Sequence, residues 1–171
     1  MFTLIFGYLS AFVSFVGFPP YVSDIFKGDT KPERISWFIW FVLGLITFFS
    51  QLALGGHHSL WLPGEQTIVI GFIFFLSLWK GVGGFTKWDL AALLIAALGL
   101  VLWYFTKQPA VALIITLCID AAGAVLTIRK TWQKPETETL FSWVCSLLAG
   151  VCAFIAVGGF QPLLLLYPLY S

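Results

Sequence analysis

The chain has 171 residues, of which 60% are hydrophobic, 18% aromatic and only 10% charged, with a formal net charge of +1 and a mean hydropathy of +0.96. A soluble globular domain carries about a quarter charged residues, so an ordinary water-soluble fold is excluded. The near-neutral charge gives no basis for nucleic-acid binding.

In chain order, apolar runs predict helices over Phe2–Ile25, Ile35–Leu54, Leu62–Trp79, Trp88–Phe105, Pro109–Ile128 and Leu140–Val157. Each is close to the ~20 residues that a bilayer-crossing helix needs. After Gly158-Gly159 a last apolar run, Phe160–Ser171, has 12 residues. At about 1.5 Å per residue it reaches only about 18 Å, so it reads as a seventh helix cut short. The first run is long and lacks a basic start, which argues against a cleavable signal peptide. The expected class is an all-α integral membrane protein of about seven transmembrane helices.

Lysine and arginine set the expected orientation. The loops after the first, third and fifth helices hold Lys27, Lys31, Arg34, Lys80, Lys87, Arg129, Lys130 and Lys134, and the opposite side holds Lys107. Cations concentrate on the cytoplasmic side, which places those loops in the cytoplasm and the N-terminus outside. There, anionic lipid attracts such residues. Cys118, Cys145 and Cys152 fall inside the apolar runs and read as small packing residues.

Two segments resemble one another. Ile25-Phe26-Lys27, Lys31-Pro32-Glu33, Ser36-Trp37 and Gly44 find counterparts in Ile128-Arg129-Lys130, Lys134-Pro135-Glu136, Ser142-Trp143 and Gly150. A repeat of this kind predicts two parallel triple-helix units joined by a linker helix. The expected divisions are 1–86, 87–107 and 108–171, the last with an incomplete final helix.

This arrangement, with Pro19-Pro20 late in the first helix, resembles the PQ-loop superfamily and its SWEET sugar transporters. The charged loops Lys27-Gly28-Asp29-Thr30-Lys31-Pro32-Glu33-Arg34 and Pro135-Glu136-Thr137-Glu138-Thr139 are similar to those of a bacterial branch. In the second unit the region matching Pro19-Pro20 is Ala121-Ala122-Gly123, without proline, and the chain contains no asparagine, the residue with which SWEET pockets are typically built. The resemblance implies a three-plus-one-plus-three bundle in a bacterial inner membrane. It also implies alternating access around a midplane site between repeats.

Asp120 is the leading site residue. It lies mid-helix, where a carboxylate is costly unless paired, hydrated or protonated. Thr116, Gly123 and Thr127 share its helical face. It reads as a solute ligand or a proton-coupling carboxylate, and cystinosin-like members of the superfamily also place an Asp on this helix. The alternative is a structural carboxyl bonded to a neighbouring helix.

A second stripe joins Trp37, Trp40, Gly44, Thr47 and Gln51 on the second helix. Indoles suit the apolar face of a sugar or flat solute. Trp37 and Trp143 begin their helices, where an interfacial anchor is the competing reading. The substrate-binding set is therefore Asp120, Trp40, Thr47, Gln51, Thr116 and Trp143. Pro19, Pro20, Gly44 and Gly150 are the gating or hinge set.

Other motifs do not add chemistry. His57-His58 are adjacent, so their rings do not converge with Glu65 on a metal. Gly81-Val82-Gly83-Gly84 reads as a turn between helices. No nucleophile–base set is visible, and neither an enzyme nor a cofactor is expected. The expected function is transport of a small polar solute, sugar or amino-acid-like, by facilitated or proton-coupled movement. The rival is a non-transporting membrane receptor or scaffold. Expected partners are the solute, protons if coupling holds, and membrane lipid. Seven helices are enough to enclose a path within one chain, and a homo-oligomer is the alternative arrangement.

Overall fold

The computed structural model describes residues 2–53, 61–84, 86–105 and 109–156. These form six α-helices: α1 Phe2–Lys27, α2 Arg34–Ala53, α3 Trp61–Lys80, α4 Lys87–Phe105, α5 Pro109–Gln133 and α6 Leu140–Ala156. A 3₁₀ turn, Pro135–Thr137, follows α5. The only β-type pairing among the described residues is a parallel bridge between Glu33 and Val82.

The expectation of a seven-span bundle is overturned. Among the described residues, one helix has both the length and the apolarity to cross a bilayer: Leu4–Lys27 in α1, 24 residues with mean hydropathy 1.4. The other apolar stretches, Arg34–Ile46, Gln66–Lys80 and Leu140–Ala156, are shorter. At about 1.5 Å per residue they fall below the ~30 Å of a hydrocarbon core. Counting apolar runs overestimates spans because a run records composition and not the length of helix that stays apolar. The predicted seventh helix, Phe160–Ser171, lies outside the described residues.

Local chemistry explains the helix ends. Gly28 takes a φ of +87° just after α1, a conformation that suits glycine. Its amide donates to Asp24 O at 3.0 Å and Ile25 O at 3.2 Å, and Asp29 N donates to Asp24 O at 3.0 Å. These bonds satisfy the last carbonyls of α1. At α4, Thr86 and Asp89 form a reciprocal cap: Asp89 Oδ2 accepts from Thr86 N at 2.9 Å, and Asp89 N donates to Thr86 Oγ1 at 3.3 Å. Pro19 and Pro20 do not end α1, which runs on to Lys27.

The chain divides into two compact units, Met1–Thr30 with Glu138–Ser171, and Lys31–Thr137. In the first, α1 packs against α6. Ser10 Oγ donates to Ala149 O at 2.8 Å and Ser142 Oγ to Gly17 O at 2.7 Å. Gly17 is needed for this approach, since a Cβ there would stand 2.9 Å from Cys145 Cβ.

In the second unit α2 packs on α3, α4 and α5, and α4 also packs on α5. Its core joins Ile39, Ala92, Ala96, Ile119, Ala122 and Leu126. Small residues on α4 and α5 bring backbones close, as in membrane helix packing. Aromatic contacts bind α2 to α3, with Phe41 stacked on Phe74 at 5.8 Å.

Candidate functional site

Both units contain the same seam. Ser36 Oγ meets Gly123 O at 2.6 Å across α2 and α5, as Ser142 Oγ meets Gly17 O across α1 and α6. The positions differ by a constant offset of 106 (142 − 36 and 123 − 17). That offset also relates the helix ends Lys27 and Gln133 and the helix starts Arg34 and Leu140. It corrects the pairing of the two Lys-Pro-Glu runs. Each linker has six residues, 28–33 and 134–139. Lys31-Pro32-Glu33 ends the first, whereas Lys134-Pro135-Glu136 begins the second. Their likeness is one of composition, offset by three positions from structural equivalence.

The charged segments, expected to hold their cations at a membrane surface, are partly buried. Glu33 is 4% exposed and Lys130 9%. Lys130 Nζ donates to Lys31 O at 2.8 Å and Thr137 O at 3.1 Å. Arg34 forks across three carbonyls at and beyond the end of α3: Nε to Ser77 O at 2.9 Å, and its two amino groups to Gly83 O at 2.7 Å and Gly81 O at 2.8 Å. Arginine's fixed fork suits several acceptors at once. These cations organise backbone and are not simply a lipid-facing surface.

Glu33 caps α2. Its Oε2 accepts from Ser36 N at 2.6 Å and lies 2.8 Å from Ser36 Oγ. Its Oε1 is buried with no hydrogen-bond partner. Burial is the largest influence and holds the carboxyl above the usual carboxylate range; Asp89 adds to the rise, and bonds from Ser36 and Ile35 oppose it. Sequence reading assigned Glu33 only to a charged loop. The signal that could have found it is Glu-x-x-Ser at a helix start, a pair that brings a carboxylate onto the third amide of the helix.

Asp120 and Thr116 are half-buried on α5, and both are engaged in contacts within the structure. Trp40 approaches the same stripe: a Cβ on Gly123 would stand 3.2 Å from Trp40 Nε1. Trp40 also packs edge-on against Trp37, with centroids 5.2 Å apart. Thr47 and Gln51 belong to α2 by sequence position, but their side chains lie outside the described residues.

Trp143 belongs to the other compact unit. Its Nε1 donates to Glu138 Oε2 at 2.8 Å. Gly44 is a packing glycine, since a Cβ there would stand 2.8 Å from Thr67 Oγ1 on α3. Gly150 is buried in α6. His57 and His58 lie outside the described residues.

No family model matches this chain, and no curated protein or solved structure matches it.

Proposed function

We propose that this chain sits in a lipid bilayer and moves a small polar solute, with Asp120 as the central ligand and Trp40 beside it. The observation that carries this reading is Asp120 itself, a half-buried carboxylate in the middle of a 25-residue helix. A half-buried carboxylate this far from either end of its helix is costly unless it is paired, hydrated or ligand-bound. Trp40 Nε1 near Gly123, one turn along the same stripe, adds an indole wall of the kind that suits a ring or amphipathic solute.

The lipid setting is supported by the outward faces of the helices. On α1, Leu4, Tyr8, Phe12 and Phe15 are exposed, and α4 exposes Leu94, Leu98 and Leu102. Apolar faces this long are unfavourable in water. In addition, only 11% of the apolar window of α1 is buried, which does not fit the core helix of a globular domain.

The test is uptake into proteoliposomes of pooled sugars, amino acids and small amines, with and without an inward proton gradient. Wild type is compared with Asp120→Asn. Uptake driven by the gradient and lost in the variant supports proton-coupled transport through Asp120. Gradient-independent uptake that the variant retains leaves a facilitator and removes Asp120 from the site. Absence of uptake for every pool overturns the transport reading in favour of a receptor or scaffold.

A further inference from the structure

We infer that Glu33 is a proton-binding site, and that the proton it holds ties the start of α2 to α5 through Ser36 and the Gly123 carbonyl. Two short oxygen contacts meet at one serine hydroxyl. Ser36 Oγ lies 2.8 Å from Glu33 Oε2 and 2.6 Å from Gly123 O. A serine hydroxyl carries one hydrogen, and a carbonyl oxygen can only accept. If Ser36 donates to Gly123, the contact with Glu33 needs a second proton. The neutral acid supplies it: Glu33 donates to Ser36, and Ser36 donates to Gly123. With Glu33 ionised, a single hydrogen would have to serve both short oxygen contacts.

The other carboxyl oxygen points the same way. Glu33 Oε1 has no hydrogen-bond partner, in a residue only 4% exposed. Ionisation would place part of a negative charge on this orphaned oxygen, which is costly in a buried setting. As the carbonyl oxygen of a neutral acid it is far easier to bury.

Among the described residues, no cation forms an ion pair with Glu33. From its own helix, Arg34 gives its guanidinium to the carbonyls of Ser77, Gly81 and Gly83. From α4, Asp89 adds a like charge. From α5, Lys130 gives its ammonium to the carbonyls of Lys31 and Thr137. At the end of α3, Lys80 is exposed. Burial raises the carboxyl's proton affinity in agreement with the count of hydrogens.

The α1–α6 seam provides an internal contrast. The position equivalent to Glu33 is Thr139, whose hydroxyl bonds Asp24 Oδ2 at 3.0 Å and pairs with Thr30 Oγ1 at 2.6 Å. There Ser142 Oγ donates to the Gly17 carbonyl, and among the described residues no carboxyl group competes for its hydrogen. Of the two seams, only the one between α2 and α5 needs a proton from outside the serine.

This site does not depend on the solute reading, and its test requires no solute. The protein is purified in detergent with its glutamate carboxyl carbons labelled with carbon-13, and isotope-edited infrared spectra are recorded across a pH series. At pH about 6 an unperturbed glutamate is almost wholly ionised. The expected result is a protonated-acid carbonyl band at that pH, absent from Glu33→Gln and converted to carboxylate as pH rises further. Ser36→Ala, which removes the acceptor of that proton, should shift the same band to higher frequency. A Glu33 signal that is carboxylate at pH about 6 overturns the inference. So does an acid band that Ser36→Ala leaves unmoved, and that variant keeps the test decisive where Glu33→Gln does not fold.

Discussion

The hydroxyl of Ser142 donates to the backbone carbonyl of Gly17 at 2.7 Å, joining α6 to α1 over a separation of 125 positions. Ser36 and Gly123 repeat the relationship between α2 and α5. Each glycine exposes the carbonyl that the serine reaches and admits the facing helix. Gly17 faces Cys145, and Gly123 faces Ile39, residues that the same offset of 106 relates.

Gly17→Ala should therefore destabilise the protein by about 1–3 kcal/mol, the usual range for overpacking. The added methyl would meet Cys145 Cβ at 2.9 Å and Ser142 O at 3.3 Å, neither of which can swing away. Gly7→Ala on the same helix meets nothing within 4 Å and should be neutral or slightly stabilising. Thermal unfolding of both variants under identical conditions provides the comparison. Equal midpoints would show that the seam is not closely packed.

Arg34→Lys should cost roughly 2 kcal/mol or more, because a lysine replaces a planar fork with a single ammonium. It can retain at most part of the contact with Ser77, Gly81 and Gly83 that Arg34 makes. Hydrogen exchange should then rise at the start of α2 and around Gly81–Gly83, with α6 unchanged. Unaltered exchange at both segments would remove Arg34 from its organising role.

Glu33 gives the stability a defined pH dependence. Its proton affinity is higher in the folded chain than in the unfolded one, so the folded state holds more protons between the two pKa values. Stability then falls as pH rises. The contribution is fully present below the unfolded pKa and lost as pH climbs through the raised folded value. Wild type minus Glu33→Gln stability, measured across pH, should decline in that window. A flat or rising difference would contradict the sign.

Two glycines with the same backbone conformation should respond differently. Gly28 and Gly83 have φ of +87° and +86°, so alanine at either costs about 1–2 kcal/mol in backbone strain. A Cβ at Gly28 meets nothing within 4 Å, whereas one at Gly83 overlaps Glu33 Oε1. Gly83→Ala should cost more than Gly28→Ala, and the excess should shrink in a Glu33→Ala background. A double-mutant cycle on unfolding free energies measures this, and additivity would mean that the two residues do not touch in solution.

Much of the secondary structure was legible from local composition. The runs predicted to begin at Ile35, Trp88, Pro109 and Leu140 match helices beginning at Arg34, Lys87, Pro109 and Leu140. Apolar runs and the breakers between them are local, so they can be read residue by residue. Helical periodicity likewise put Gly123 on the face of Asp120, whereas the closeness of Trp40 to Gly123 came only with the packing of α2 on α5.

The remainder required the tertiary structure. Among the described residues, run length did not distinguish the one helix that is both long and apolar enough to cross a bilayer from shorter apolar stretches. The like-looking Lys-Pro-Glu runs suggested an equivalence that the helix ends correct, since register is set by what packs and not by which letters recur. The sequence alone determined where helices form and that their faces are apolar. Only the folded chain decided that Glu33 is a buried group sharing hydrogens with Ser36 and, 87 positions from Ser36, the carbonyl of Gly123. A proton shared among distant positions depends on distances of about 3 Å, and those exist only once the helices have packed.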